Sequence, residues 1–354
     1  MNITLVHQFA PSEGNPRNSE GAFLRGKNGE ILFAYSRYHG ESNHDHATCD
    51  IALTVSWDEG QSWSESRIIA RAAEFGVGNI MSVSALEQQN GDLAFYFLIK
   101  ETDCSTTLGR TVSADGVHFR SERCRADFPR HYYVVNNDRL VRLQNGKILA
   151  PAAYVEPEQA LNDVRVPYVT TLLVSDDDGA GFYKADFDFT TTDKQNYRYG
   201  LQEPGVIERA DGSLYLWMRT NYYCQYECES NGDLNGFTVP HASQFTSPPS
   251  PMQVKCYNGV TYAVYNPVPR YNGRVSEAGT WDRTPIVIRK SLDGGETYGP
   301  LNIIEDEPTR GYCYPAIFQT KDDHLLLAYC RGDNADGNTL CRLGISRVEI
   351  ASIE

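Results

Sequence analysis

The sequence predicts an all-β protein, a six-bladed β-propeller of four-stranded antiparallel blades in which residues 1–354 form a single domain. Two repeats and one absence carry that expectation. The phrase Ser-x-Asp-x-Gly-x-x-aromatic occurs at Ser56–Trp63, Ser175–Phe182 and Ser291–Tyr298, with a copy one residue short at Ser113–Phe119 and a worn one from Ser230 to Phe237. The copies lie roughly 60 residues apart, within the range of a repeat architecture. Asn-Gly or Asp-Gly pairs alternate with them, at 28–29, 90–91, 145–146, 211–212 and 258–259, and Asp322-Asp323 holds the last equivalent place. No segment sustains a helical period.

Each element follows from these markers. Apolar runs such as Ile31–Tyr35 and Leu93–Tyr96 come directly after an Asn-Gly pair, and Asn-Gly between β-type runs signals a hairpin whose two central residues take positive φ. In the box, Asp and Ser bond nearby backbone amides, Gly supplies a positive φ, and the aromatic anchors the turn on its own sheet. Each unit therefore has strands A to D, with the hairpin joining A to B and the box joining C to D. The run Leu343–Ile350 follows the last hairpin, and the first strand, Ile3–Phe9, closes the ring by completing the last blade.

Composition narrows the function classes. The net charge of −14 argues against nucleic acid, whose binding needs basic patches, while a local arginine cluster still permits an anionic small substrate. Nine scattered cysteines suggest structural thiols in a reducing compartment. Cys224 and Cys228 lack a second ligand pair at matching spacing, so no metal and no cofactor is expected. Met1 leads directly into a strand-like segment with no apolar span or signal peptide, which predicts a cytoplasmic protein without membrane contact.

Strand direction then locates a site. Hairpins and boxes turn on the lower face, so starts of A, ends of B and starts of C meet on the upper face beside the axis. Those places hold Arg17 and Glu20, Asn136 to Arg139, Gln202 and Glu203, and Tyr312 and Tyr314 at starts of A. They also hold Arg37, Lys100, Arg219 and Arg331 at ends of B, His44, Asp45 and His46 in the first B–C loop, and Arg283 before a C strand. Polar residues converging at a propeller mouth form the default active-site hypothesis.

With those residues in place, the chain resembles the sialidase superfamily of Asp-box (bacterial neuraminidase) repeat proteins. Gln202-Glu203-Pro204-Gly205 leads through Asp211-Gly212 to Trp217-Met218-Arg219, Arg283 precedes a C strand ahead of the box at Ser291, and Tyr312-Cys313-Tyr314 opens the last inner strand. The resemblance implies an exo-glycosidase that hydrolyses a terminal α-linked sialic acid or related acidic sugar with retention. Tyr314 is then the nucleophile, Glu203 its base and Asp45 the acid/base, while Arg37, Arg219 and Arg283 are substrate-binding residues. Tyrosine suits an anomeric carbon bearing a carboxylate, where a carboxylate nucleophile meets like-charge repulsion; its pKa of roughly 10 requires a neighbouring base. Arginines hold the substrate carboxylate through charge-assisted, often bidentate bonds.

The chain also departs from that pattern. Where sialidases open the first inner strand with an Arg-Ile-Pro motif, it has Arg17-Asn18-Ser19-Glu20, with Ser19 in the arginine's place. Arg17 or Arg139 is expected to substitute, Glu20 brings a negative charge toward the pocket, and Tyr312 rivals Tyr314. The alternatives are a glycosidase of the same fold for a uronic or neutral sugar, and a non-catalytic propeller that binds a glycan or protein at the same mouth.

Overall fold

Every run bounded by the two turn types forms a strand. The computed structural model describes residues 1–161, 167–191, 200–268 and 278–354, and these form six sheets, five of them four-stranded and antiparallel. Blade I comprises Asn18–Arg25, Ile31–Tyr38, Cys49–Ser56 and Arg67–Ala70, and blade II comprises Ile80–Glu87, Leu93–Thr102, Ser105–Ser113 and Arg120–Arg123. Blade IV comprises Gln202–Glu208, Leu214–Arg219, Cys224–Ser230 and His241–Thr246. Blade V comprises Gln253–Tyr257, Val260–Tyr265, Ile286–Ser291 and Asn302–Glu305. In blade VI, Cys313–Gln319, His324–Cys330 and Leu343–Glu349 are completed by Ile3–Phe9, so the first strand closes the ring as expected. The architecture is that of a six-bladed propeller with almost no helix.

Blade III departs from the four-strand scheme. Its inner edge is two short pieces, Tyr132–Val134 and Val141–Arg142, beside Ile148–Val155, Val169–Ser175 and Gly181–Lys184. An added strand, Arg125–Asp127, pairs parallel with Gly181–Lys184. The inner edge is interrupted at Asn136 to Arg139, where polar side chains turn into the channel instead of pairing along the sheet. Adjacent blades pack face to face through alternate side chains: Phe95 and Phe97 of blade II meet Leu32 and Ala34 of blade I, and Phe9 of blade VI meets Phe33 and Tyr35 of blade I.

The boxes act as staples. In the Ser291 copy, the Ser291 hydroxyl donates to Asp293 Oδ1 (2.6 Å) and accepts from the Gly295 amide (2.9 Å), while Asp293 Oδ1 accepts from the Thr297 amide (3.0 Å). The aromatic then packs inward, Tyr298 lying edge-on to Phe245 with centroids 5.0 Å apart. Most hairpins differ from the two-residue turn expected. Only Asn258-Gly259 has positive φ at both residues, between the paired Tyr257 and Val260. At the pairs 90–91, 145–146 and 211–212 only glycine has positive φ. There the Asn or Asp side chain accepts the amide two residues on, as Asn90 Oδ1 does from Asp92 (2.9 Å), and this local bond replaces the tighter turn.

One irregularity of the inner strands positions the site. Between Ser19 and Ala22, Met81 and Ser84, Gln202 and Gly205, and Cys313 and Ala316, the inner strand carries one residue more than its partner. Each bulge contains a non-glycine residue at positive φ: Glu20 (56°), Ser82 (62°), Glu203 (46°) and Tyr314 (54°). A bulge bends the strand and re-aims a side chain, and non-glycine residues in this region cost of order 1–3 kcal/mol each. Four blades bear the same cost at the same place.

Candidate active site

Those four bulge residues line one cavity of about 1090 Å³ at the mouth of the channel. None of the box residues lines it, in keeping with a site on the opposite face. Below, the channel is plugged. Asn137 Nδ2 donates to the carbonyls of Gly21 (2.9 Å) and Tyr314 (3.2 Å). Asp138 Oδ2 accepts from the Ile317 amide (3.1 Å) and Gln253 Nε2 (2.9 Å), and its other oxygen pairs with Lys255 Nζ (3.0 Å). The interruption of blade III thus ties blades I, V and VI together and leaves the cavity dead-ended.

On the floor, Tyr314 Oη donates to Glu203 Oε1 (2.9 Å), and Arg219 Nη1 donates to Glu203 Oε2 (2.7 Å). One carboxylate therefore joins a phenol to a guanidinium. Burial and the Glu203 charge push the Tyr314 phenol well above its ordinary pKa, against the pull of Arg283 and Arg219, so the resting hydroxyl is neutral. Arg283 comes from the loop before Ile286; its guanidinium lies 5.7 Å from the Tyr314 ring centroid and 5.1 Å from that of Trp281. Its Nη2 donates to the Pro249 carbonyl (3.2 Å), while Nε and Nη1 find no hydrogen-bond partner among the described residues.

The opposite wall is built around Arg17, which is buried behind the cavity surface. Its Nη1 donates to Asp45 Oδ1 (2.5 Å), Nη2 to Glu20 Oε1 (3.2 Å) and Nε to Ser19 Oγ (3.0 Å), with the guanidinium 4.4 Å from the Tyr38 ring centroid. Lys100 Nζ donates to the Asp45 carbonyl (2.6 Å). Burial raises the Asp45 carboxyl, but the Arg17 and Lys100 charges outweigh it and hold the group down to about 2. The Asp45 side chain remains 56% exposed at the mouth, where water screens part of that effect.

The structure brings together Asp45, Glu203, Tyr314, Arg219 and Arg283, all on the cavity surface. Four sequence-predicted substrate contacts lie elsewhere. Arg37 precedes Tyr38 on its strand and faces away from the cavity, toward Tyr35. Arg17 is sunk behind Glu20 and Asp45, which neutralise it. Arg139 lies buried under the floor, donating to Gln253 Oε1 with its guanidinium 5.3 Å from the Trp217 ring centroid. Tyr312 is fully buried against Tyr329, because the residues flanking Cys313 are separated by the bulge and only Tyr314 turns to the axis. Neither Arg17 nor Arg139 lies on the cavity surface. Glu20, rather than Ser19, holds the bulge position that faces the ligand space.

Tyr168 also lines the wall and was missed in the sequence. Burial, then the Glu203 charge, pushes its phenol up to about 12. Counting back from the box serine Ser175 reaches Tyr168 much as counting back from Ser291 reaches Arg283, and that signal was available. His44 and His46 stack with centroids 5.6 Å apart, and no grouping of three or more His, Cys, Asp or Glu suited to a metal occurs among the described residues.

Comparison with known proteins agrees with this frame. The family model of the BNR repeat-like domain matches residues 30–327. No curated protein matches the sequence significantly. Among solved structures, the chain is similar to the Hadza microbial sialidase Hz136 (14% identity, TM-score 0.75, covering 96% of this chain and 67% of that one). It is similar to the NanB sialidase from Streptococcus pneumoniae (12% identity, TM-score 0.70, 99% and 71%). A third is the intramolecular trans-sialidase from Ruminococcus gnavus (12% identity, TM-score 0.68, 98% and 97%). At such identities the likeness speaks for the fold. From the repeat, the propeller and the matched family model together, the chain belongs to the BNR repeat-like domain family.

Proposed function

We propose that the protein is a retaining exo-glycosidase of the sialidase type, acting on a terminal acidic sugar. The observation that carries this reading is the Tyr314–Glu203–Arg219 chain on the floor of a dead-ended cavity, with contacts of 2.9 and 2.7 Å. A dead-ended pocket suits a chain terminus, and a phenol bonded to a carboxylate suits nucleophilic attack. Tyr314 Oη bonds to the anomeric carbon as its proton passes to Glu203 Oε1, and the glycosidic C–O bond breaks. Once the incoming sugar separates Asp45 from Arg17, its carboxyl returns toward the ordinary range and takes up a proton from solvent, which it then gives to the leaving oxygen. Asp45 then takes a proton from water, the resulting hydroxide attacks the anomeric carbon, and Tyr314 leaves with the proton held on Glu203. Two inversions give net retention. Arg219 and Arg283 hold the sugar carboxylate, and the neutral phenol avoids repulsion by it.

The test is release of fluorophore from 4-methylumbelliferyl α-sialoside and uronide substrates. Tyr314→Phe is expected to lower kcat by at least about 10³-fold, the scale of losing an activated nucleophile. A fluorinated acidic-sugar inactivator is expected to label the Tyr314 peptide by mass spectrometry, and full activity of the Phe variant rejects the assignment. The resting Asp45–Arg17 pair favours a second reading, a glycan-binding propeller without turnover. Glycan-array binding with no hydrolysis of any bound glycan is its signature.

A further inference from the structure

The carboxyl group assigned to proton transfer sits on a loop that the blade ladders do not hold. Residues 43–47 lie between Ile31–Tyr38 and Cys49–Ser56, beyond their last pair, Tyr38 and Cys49. Within the loop the Ala47 amide donates to the His44 carbonyl (2.8 Å), and His44, Asp45 and His46 are exposed. Three buried side chains hold it instead, each by a carbonyl. Arg17 Nη1 donates to the Asn43 carbonyl (3.2 Å), Lys100 Nζ to that of Asp45 (2.6 Å), and Asn79 Nδ2 to those of Asp45 (3.2 Å) and Ala47. Lys100 and Asn79 are themselves fixed. The Lys100 amide donates to the Asn79 carbonyl (3.1 Å), and Asn79 bridges to Cys49 of blade I.

Lys100 is the unusual member. A carbonyl needs only a neutral donor, yet here an ammonium with 8% exposure is set on the cavity surface. Among the described residues its one hydrogen bond goes to that carbonyl and it pairs with no carboxylate, while the Tyr132 ring centroid lies 5.9 Å from Nζ. Taking a charge out of water is costly, and what it returns here is a stronger bond than a neutral donor makes. Strength at this carbonyl matters because the proposed reaction makes the Asp45 side chain change partners. Its carboxylate rests on Arg17 at 2.5 Å and leaves it for the glycosidic oxygen. A main chain fixed separately keeps the Asp45 Cα in place while the side chain moves. We propose that Lys100 is a positioning residue, holding Asp45 beside the leaving oxygen through the Asp45 main-chain carbonyl. The proposal rests on reading Asp45 as the acid/base of a glycosidase. Lys100 itself makes and breaks no covalent bond.

The test compares the full chain with Lys100→Met on two glycosides of one acidic sugar, the 4-methylumbelliferyl α-sialoside and the α-sialoside of lactose. The aryl oxygen leaves readily without a proton, whereas a sugar hydroxyl needs one from a well-placed acid. In Lys100→Met, kcat/KM is expected to fall about 10- to 100-fold further for the lactoside than for the aryl glycoside, the scale of a misplaced catalytic group. A variant that merely holds less folded protein loses both in equal proportion. Amide hydrogen exchange of the ligand-free proteins needs no turnover. It is expected to speed up over residues 43–48 in the variant and to stay unchanged in the rest of blade I. An equal loss on the two glycosides, or unchanged exchange over residues 43–48, overturns the proposal. Where the unmodified protein does not cleave the lactoside, the exchange result alone decides it; where it cleaves neither glycoside nor the uronides, the catalytic reading falls separately. If Lys100→Met does not fold, Lys100→Gln, neutral and one bond shorter, takes its place under the same expectations.

Discussion

Arg17 shows how one buried cation organises half of the site. It is 1% exposed and holds two carboxylates, one inside the cavity and one at its rim. Removing one partner of a buried ionic group leaves uncompensated charge, at a cost of about 3–5 kcal/mol. Arg17→Met is therefore expected to lower unfolding free energy by about that amount at neutral pH, measured by urea denaturation, with a smaller loss in acid as Glu20 takes up a proton. Asp45 has the opposite sign from Glu20. Its folded carboxyl lies below its unfolded value, so the stability it contributes is present above the ordinary carboxylate range and is lost as pH falls toward about 2. Because Asp45 is more than half exposed, that contribution is small next to the loss of Arg17 itself. A stability difference between Arg17→Met and the parent that stays constant with pH contradicts the assignment.

At the scale of elements, staple and bulge divide the labour. The Ser291 hydroxyl makes three bonds that close its turn, donating to the Asp293 carboxylate and accepting from the Asp293 and Gly295 amides. Ser291→Ala removes all three and is expected to cost about 1–3 kcal/mol, since each net bond is worth roughly 1 kcal/mol and the Gly295 amide loses its acceptor. Turnover per folded molecule is expected to stay unchanged, because the box lies on the far face. Equilibrium unfolding and kcat on one sample check both parts, and a large fall in kcat without a fall in stability contradicts it. The bulges were not legible in the sequence. Gln202-Glu203-Pro204 and Met81-Ser82-Val83 share no residue type, and the extra residue shows only when both strands are paired. The small residues after the bulge give a partial signal: at Gly205 an added Cβ collides with the Trp217 indole.

For the whole molecule, the first strand closes the ring. Ile3–Phe9 supplies the outer strand of blade VI, pairing with Leu343–Glu349 and packing Phe9 against Phe33 and Tyr35 of blade I. Deleting residues 1–9 exposes a full strand edge and that aromatic contact. The shortened chain is expected to aggregate and to unfold at lower denaturant in a broader transition, followed by light scattering and circular dichroism. Unchanged solubility and midpoint contradict this view of the closure.

The repeat in the chain was enough to determine the propeller, the order of its strands and the face that carries the site, because box and hairpin are local turns whose residues act on their own backbone. Counting from them also located Asp45, Glu203, Arg219, Arg283 and Tyr314, since strand length sets where each element reaches the mouth. Only the tertiary structure decided which charges face the ligand space. Tyr312 lies two residues from a cavity-lining position and Arg17 and Arg139 three, yet one-residue bulges and the pull of Glu20, Asp45 and Gln253 turn or hold them elsewhere, and strand alternation turns Arg37 away. A shift of one residue along a strand reverses the side that a side chain faces. That reversal placed Glu20 in the pocket and Arg17 behind it.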